Sequence, residues 1–151
     1  MPYNHWARRH DTSYRSGLED VISAQLKSLS IPVLYETHIL KYTIPEALHR
    51  YTPDFILPNG IIVETKGRFT PQDRKKMALV VAQNPDLDIR MVFSNANTKI
   101  SKASKTTYAI WCEKQGIQYA SKAIPAQWLN EPSNHRALAL LSTLLKKKAS
   151  D

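Results

Sequence analysis

The chain is predicted to fold as an α/β protein, and three observations carry that expectation. Segments with apolar residues at helical spacing are interleaved with short runs rich in Val, Ile, Leu, Tyr and Thr. A strong hairpin signal, Pro58-Asn59-Gly60, sits between two apolar runs in mid-chain. The length, 151 residues with 42% hydrophobic content, suits one domain able to bury its own core.

The elements follow in order. Residues 1–13 read as a polar arm bearing Tyr3, His5, Trp6, Arg8, Arg9 and His10, without periodicity. From Ser16 to about Leu29, the residues Leu18, Val21, Ile22, Leu26 and Leu29 share one helical face. Ser16 and Glu19 match the S-x-x-E capping box, so Glu19 is the expected cap partner of Ser16. Pro32 to Ile44 predicts one or two strands, and Pro45 to Tyr51 a polar connection containing His49 and Arg50.

Phe55-Ile56-Leu57 and Ile61-Ile62-Val63 are expected to be short strands around the turn. Thr70 caps a helix with Pro71 at its first position, running to about Gln83 before Pro85. Ile89 to Phe93 is a strand, Thr107 to Gln115 a helix closed by Gly116, and Ile117 to Ala120 a last strand. Asn134 to Lys148 is a helix with Leu138, Leu141 and Leu145 on one face and Lys146-Lys147-Lys148 at its end. Trp111, Cys112 and Trp128 are assigned to the core.

Charge narrows the partners. Lys plus Arg is 21 against 13 Asp plus Glu, giving +8 and favouring a polyanion such as nucleic acid. A single cysteine precludes a disulfide within the chain and a Cys-rich zinc site. Four glycines cannot build a G-x-G-x-x-G or Walker pattern, so no nucleotide cofactor is expected. No apolar run reaches membrane-spanning length and no signal-peptide core is seen. No membrane partner and a cytoplasmic location are therefore expected.

The chemistry concentrates in Tyr51 to Gly67. Pro58-Asn59-Gly60 suits a three-residue loop with Gly60 in the left-handed position. Leu57 then faces Ile61, Ile56 faces Ile62, Phe55 faces Val63 and Asp54 faces Glu64. Opposed residues share a face with Cβ atoms roughly 5 Å apart, and Lys66 lies roughly 7 Å further along it. A two-residue Asn59-Gly60 turn would instead set Asp54 opposite Thr65 and split the acids between faces.

Two opposed carboxylates repel unless a cation joins them, and Mg2+ favours such oxygen ligands. A bound Mg2+ could activate water and stabilise a phosphate, with Lys66 holding the water or neutralising the phosphate. The competing reading is a surface hairpin with a solvated acid pair.

Pro53-Asp54 followed by Glu64-Thr65-Lys66 resembles the PD-(D/E)xK nuclease superfamily. Four longer strings narrow the likeness: Tyr14 to Asp20, Tyr51 to Gly67, Asp73-Arg74-Lys75-Lys76 and Cys112-Glu113-Lys114. With Ile124 to Trp128, they are similar to the bacteriophage endonuclease I family, Holliday-junction resolvases of lytic phages. The resemblance covers Tyr14 to Pro132.

It implies a restriction-endonuclease-like mixed sheet flanked by helices, in a domain-swapped homodimer that cuts branched DNA. Asp54, Glu64 and the Thr65 backbone carbonyl would hold Mg2+, for which Mn2+ could substitute. Lys66 would be catalytic, and Glu19 would complete the site from the partner chain, a role that competes with capping. Residues 14–132 would form the nuclease domain, residues 45–50 the bridge between halves, and residues 133–151 a basic helix and tail. If phage-encoded, the protein would work in the host cytoplasm.

Arg15, Arg74, Lys75 and Lys76 flank the proposed centre and are candidates for phosphate contact, against the alternative of solvated helix charges. Trp6, Arg8 and Arg9 are candidates for DNA contact from the arm, with stacking on opened bases as one mode. Two other functions remain open: a sequence-specific PD-(D/E)xK nuclease, and a basic DNA-binding protein without catalysis.

Overall fold

The computed structural model describes residues 14–44 and 47–145. Among them, α1 (Tyr14–Ser28) is followed by β1 (Leu34–Tyr35), β2 (Leu40–Ile44) and β3 (Ala47–Tyr51). The central hairpin is β4 (Phe55–Ile56) and β5 (Ile62–Lys66). Then come α2 (Pro71–Gln83), β6 (Ile89–Phe93), α3 (Tyr108–Gln115), β7 (Tyr119–Ser121), α4 (Ala126–Leu129) and α5 (His135–Ser142).

Five strands form a mixed sheet in the order β1-β4-β5-β6-β7, antiparallel across β1, β4 and β5 and parallel across β5, β6 and β7. Alternation along the strands sorts their side chains into two cores. Phe55, Leu57, Ile61, Val63 and Val92 pack with Leu18, Ile22 and Leu26 of α1 and with Trp128 of α4. Ile56, Ile62, Met91 and Phe93 face Met77 and Val80 of α2 and Tyr108, Ala109 and Cys112 of α3. The expected α/β fold with helices covering both faces of a mixed sheet is what the chain adopts.

The hairpin that orients the candidate site has the three-residue loop. Ile56 pairs with Ile62 and Phe55 with Val63. The Gly60 amide donates to the Leu57 carbonyl at 2.9 Å, and Gly60 takes φ 95°, which a side chain would resist. The loop is held in place by α5. The Asn134 amide donates to the Asn59 carbonyl at 2.9 Å, and a Cβ at Gly60 would lie 3.3 Å from Leu138.

Thr70 and Gly116 cap α2 and α3 as their residue types predict, Gly116 with φ 71°. Trp128 and Cys112 are buried, and Trp111 packs against the core around Phe69. Burial, with Glu113 adding to it, pushes the Cys112 thiol up to about 12, which suits a core residue and not a nucleophile.

Four expectations are corrected. α1 is helical from Tyr14, so Ser16 lies within the helix and not at its N-cap. Only part of the α1 stripe is covered: Leu18, Ile22 and Leu26 are buried while Val21 and Leu29 are exposed. Residues 47–51 are a strand and not a polar connection, because their backbone pairs with Leu40–Ile44 and the Tyr51 side chain is buried beside Leu40 and Tyr42. The final helix ends at Ser142, and Leu144 instead accepts the Ile39 amide at 2.7 Å. The helix α4 gave no periodic signal because it spans only Ala126–Leu129. Residues 1–13, with Trp6, Arg8 and Arg9, and the Lys146 to Lys148 run lie outside the described residues.

Candidate active site

Antiparallel counting from Phe55↔Val63 sets Asp54 opposite Glu64, but the backbone ladder stops at Phe55. Asp54 replaces it with its side chain: Oδ2 accepts from the Thr65 amide at 3.0 Å and from Thr65 Oγ1 at 2.9 Å. Those two bonds fix the carboxylate across the end of β5. The β1–β4 pairing brings Glu36 alongside, where its amide donates to the Asp54 carbonyl at 3.1 Å. Glu36 sits at φ 51°, a left-handed conformation that costs a non-glycine residue about 1–2 kcal/mol.

Glu19 reaches the same point from α1. It is completely buried and accepts a hydrogen bond from the Tyr35 hydroxyl. Carboxylate oxygens of Glu19, Glu36 and Asp54 all lie within 4.8 Å of one another. Glu64, also buried, accepts from the Tyr51 hydroxyl. Glu64 and Lys66 share a face of β5, and both line a cavity with Glu36, Arg50, Asp73 and Lys76. Glu36 thus belongs both to the acidic cluster and to the cavity.

The Lys66 ammonium is 3.1 Å from Asp73 Oδ1, and the other Asp73 oxygen accepts the Thr70 amide at 3.0 Å in a capping box. Partial burial alone would raise the Asp73 pKa. The Lys66 charge and the hydrogen bonds from Thr70 outweigh it and hold the carboxyl below its ordinary value. Asp73 therefore ties the start of α2 to Lys66. Asp73→Ala should cost about 1 kcal/mol through the lost cap, lowering Tm by roughly 2–4 °C. An unchanged melting curve would show that the cap contributes nothing.

Three close carboxylates are mutually repulsive unless a cation or protons intervene, and a set of hard oxygen donors fits a divalent cation of the Mg2+ type. The residues present therefore suit such an ion.

Glu19 and Asp54 meet in the acidic cluster, Glu64 and Lys66 line the cavity, and Glu36 belongs to both. Lys76 lines the cavity with its ammonium 5.3 Å from the Tyr51 ring centroid, whereas Lys75 is exposed. Arg74 donates to the Phe69 carbonyl at 2.7 Å and braces the loop before α2. Arg15 lies in the first turn of α1. Sequence reasoning missed Glu36, Tyr35, Tyr51, Arg50 and Asp73. The Thr70-x-x-Asp73 capping pattern could have revealed Asp73. Glu36 carried no local signal, since only the β1–β4 register brings it to Asp54.

A mixed sheet covered by helices, with Asp54, Glu64 and Lys66 at the end of its central hairpin, has the layout of the PD-(D/E)xK nucleases. A family model for phage endonuclease I matches residues 1–149. The chain is also 54% identical over 120 residues to Endonuclease I of Escherichia phage T7, covering 80% of each chain. It is 52% identical over 120 residues to Endodeoxyribonuclease 1 of Enterobacteria phage T3, covering 80% of this chain and 79% of that protein. The chain belongs to the phage endonuclease I family, a family of nucleases for which a divalent metal is implied. No helix among the described residues is long and apolar enough to cross a membrane.

Proposed function

We propose that the chain is a Mg2+-dependent endodeoxyribonuclease that resolves four-way and other branched DNA junctions by paired phosphodiester hydrolysis, working as a homodimer. The observation that carries this reading is the meeting of buried Glu19 and Asp54 with half-buried Glu36 within 4.8 Å, beside the cavity that Glu36 shares with Glu64 and Lys66. The relatives' identity as Endonuclease I and Endodeoxyribonuclease 1 supports a DNA substrate, and their phage origin supports work in the host cytoplasm.

In this reading Asp54, Glu64 and the Thr65 carbonyl hold the cation, for which Mn2+ can substitute, with Glu19 and Glu36 at its border. When bound, the ion lowers the pKa of a water and stabilises charge on the phosphate. The chain's own groups do the rest. Asp73 holds Lys66 at the cavity, where the ammonium positions the attacking water or neutralises the phosphate as the P–O bond opens. Burial of the carboxylates keeps bulk water from screening the site. Arg15, Arg74, Lys75, Lys76 and the arm residues Trp6, Arg8 and Arg9 supply DNA contacts. The +8 balance then requires binding to weaken steeply with salt as counterions are released. A flat plot of log affinity against log salt would contradict that.

The dimer is proposed to exchange halves across residues 45–50, within a nuclease domain of residues 14–132. The arm of residues 1–13 and the tail of residues 133–151 flank that domain. β2 and β3 form a two-stranded ribbon separate from the main sheet, joined through two residues. Opening that ribbon would send the chain from residue 47 onward into a partner while preserving every contact between the halves. Glu19 would then meet Asp54 across chains.

The test is cleavage of a four-way junction and a linear duplex of the same arms, with and without Mg2+. The expected result is metal-dependent paired nicking of the junction and little cutting of the duplex. Cutting of linear duplex at one fixed sequence would indicate a sequence-specific nuclease. Binding of both DNAs without cleavage would indicate a non-catalytic DNA-binding protein.

A further inference from the structure

Two tyrosines contact carboxylates of the centre, one in each of the segments that flank residues 45 and 46, and Tyr51 also lines the cavity. Tyr35 precedes them and donates to Glu19, and Tyr51 follows them and donates to Glu64. We propose that Tyr35 and Tyr51 are positioning residues that orient the Glu19 and Glu64 carboxylates toward the divalent cation. This rests on the metal-dependent reading above.

The backbone of β5 is fixed from both sides by β4 and β6, but a glutamate side chain keeps several rotatable bonds beyond it. Something must fix the carboxylate plane. A neutral phenol hydroxyl suits the task because it donates to one oxygen without neutralising the carboxylate. Asp54 is held in the same manner by the Thr65 amide and hydroxyl.

The two rings are themselves immobilised. Tyr35 packs on Phe55 with centroids 5.0 Å apart. Tyr51 is 3% exposed, pairs with Leu40 in the β2–β3 ribbon, and carries the Lys76 ammonium 5.3 Å from its centroid. The pairing also respects the proposed exchange. Glu19 and Tyr35 lie in the first half, while Tyr51 and Glu64 lie in the second. Each half therefore brings an acid already oriented by its own tyrosine, whether or not the halves belong to one chain.

The test is calorimetric titration of the full-length protein with Mn2+ alone, without DNA, beside thermal unfolding. Removing partners that orient metal ligands typically weakens metal affinity roughly 10–100-fold. Tyr51→Phe and Tyr35→Phe keep the rings and should each weaken Mn2+ binding by about tenfold or more. If Tyr51→Phe fails to fold, Tyr35→Phe carries the same test. Wild-type Mn2+ affinity in a folded tyrosine variant, with only Tm lowered, overturns the assignment for that tyrosine. The control is Asp54→Asn. If it loses Mn2+ while the tyrosine variants do not, the positioning idea falls and the metal centre stands. If Asp54→Asn binds Mn2+ like the wild type, the metal centre itself is overturned, and the positioning role with it.

Discussion

Asp54→Asn should abolish junction cleavage while leaving junction binding and the fold in place. Asparagine can still accept from the Thr65 amide and hydroxyl through its side-chain oxygen, so the end of β5 keeps its anchor. What it loses is the negative charge at the centre of the acidic cluster. Loss of the ion's stabilisation of the phosphate should cost about three orders of magnitude in rate, or ~4 kcal/mol of barrier. Asp54→Ala should be equally inactive but less stable. It strands the buried Thr65 amide, at about 1–3 kcal/mol. The comparison separates chemistry from folding. Single-turnover cleavage by Asp54→Asn within tenfold of wild type would sink the assignment of Asp54.

The second large effect concerns the exchange. Glu19→Ala and Asp54→Ala homodimers should each be inactive. If the halves exchange, a heterodimer of the two chains has one composite site with both lesions and one with neither. Unfolding the two variants together and refolding them should therefore restore nicking at a single site of the junction. Mixing the folded homodimers should restore little, because separation exposes core surface and the unpaired edges of β2 and β3. If Glu19 serves Asp54 of its own chain, each site keeps one lesion and co-refolding recovers no activity.

The parts of the fold that were legible in the sequence are those set by local chemistry. Thr70-Pro71 and Gly116 gave helix ends because caps depend on a residue's own conformation and its nearest neighbours. Pro58-Asn59-Gly60 gave the loop, and the loop gave the register Ile56↔Ile62 and Phe55↔Val63 from which Asp54 counts to Glu64. Non-local features were hidden. The polar-looking stretch around His49 and Arg50 becomes a strand because β2 is available to pair with it, and the His49 ring lies 5.6 Å from that of Tyr42. Glu19 matched a capping box in sequence, but two further helical residues precede Ser16, and the carboxylate turns into the centre instead. Glu36 depends on a two-residue strand, Leu34–Tyr35, whose register no periodicity reveals. The resemblance supplied Glu19, and the residues themselves supplied Asp54, Glu64 and Lys66.

In the proposed function, the Asp54 and Glu64 carboxylates hold the ion that drives cleavage. The most direct measurement is anomalous X-ray scattering from crystals of the protein soaked in Mn2+. The expected result is an anomalous peak within coordination distance of the Asp54 and Glu64 carboxylates, lost in Asp54→Asn crystals. Mn2+ peaks confined to exposed surface carboxylates, with none between Asp54 and Glu64, would contradict it.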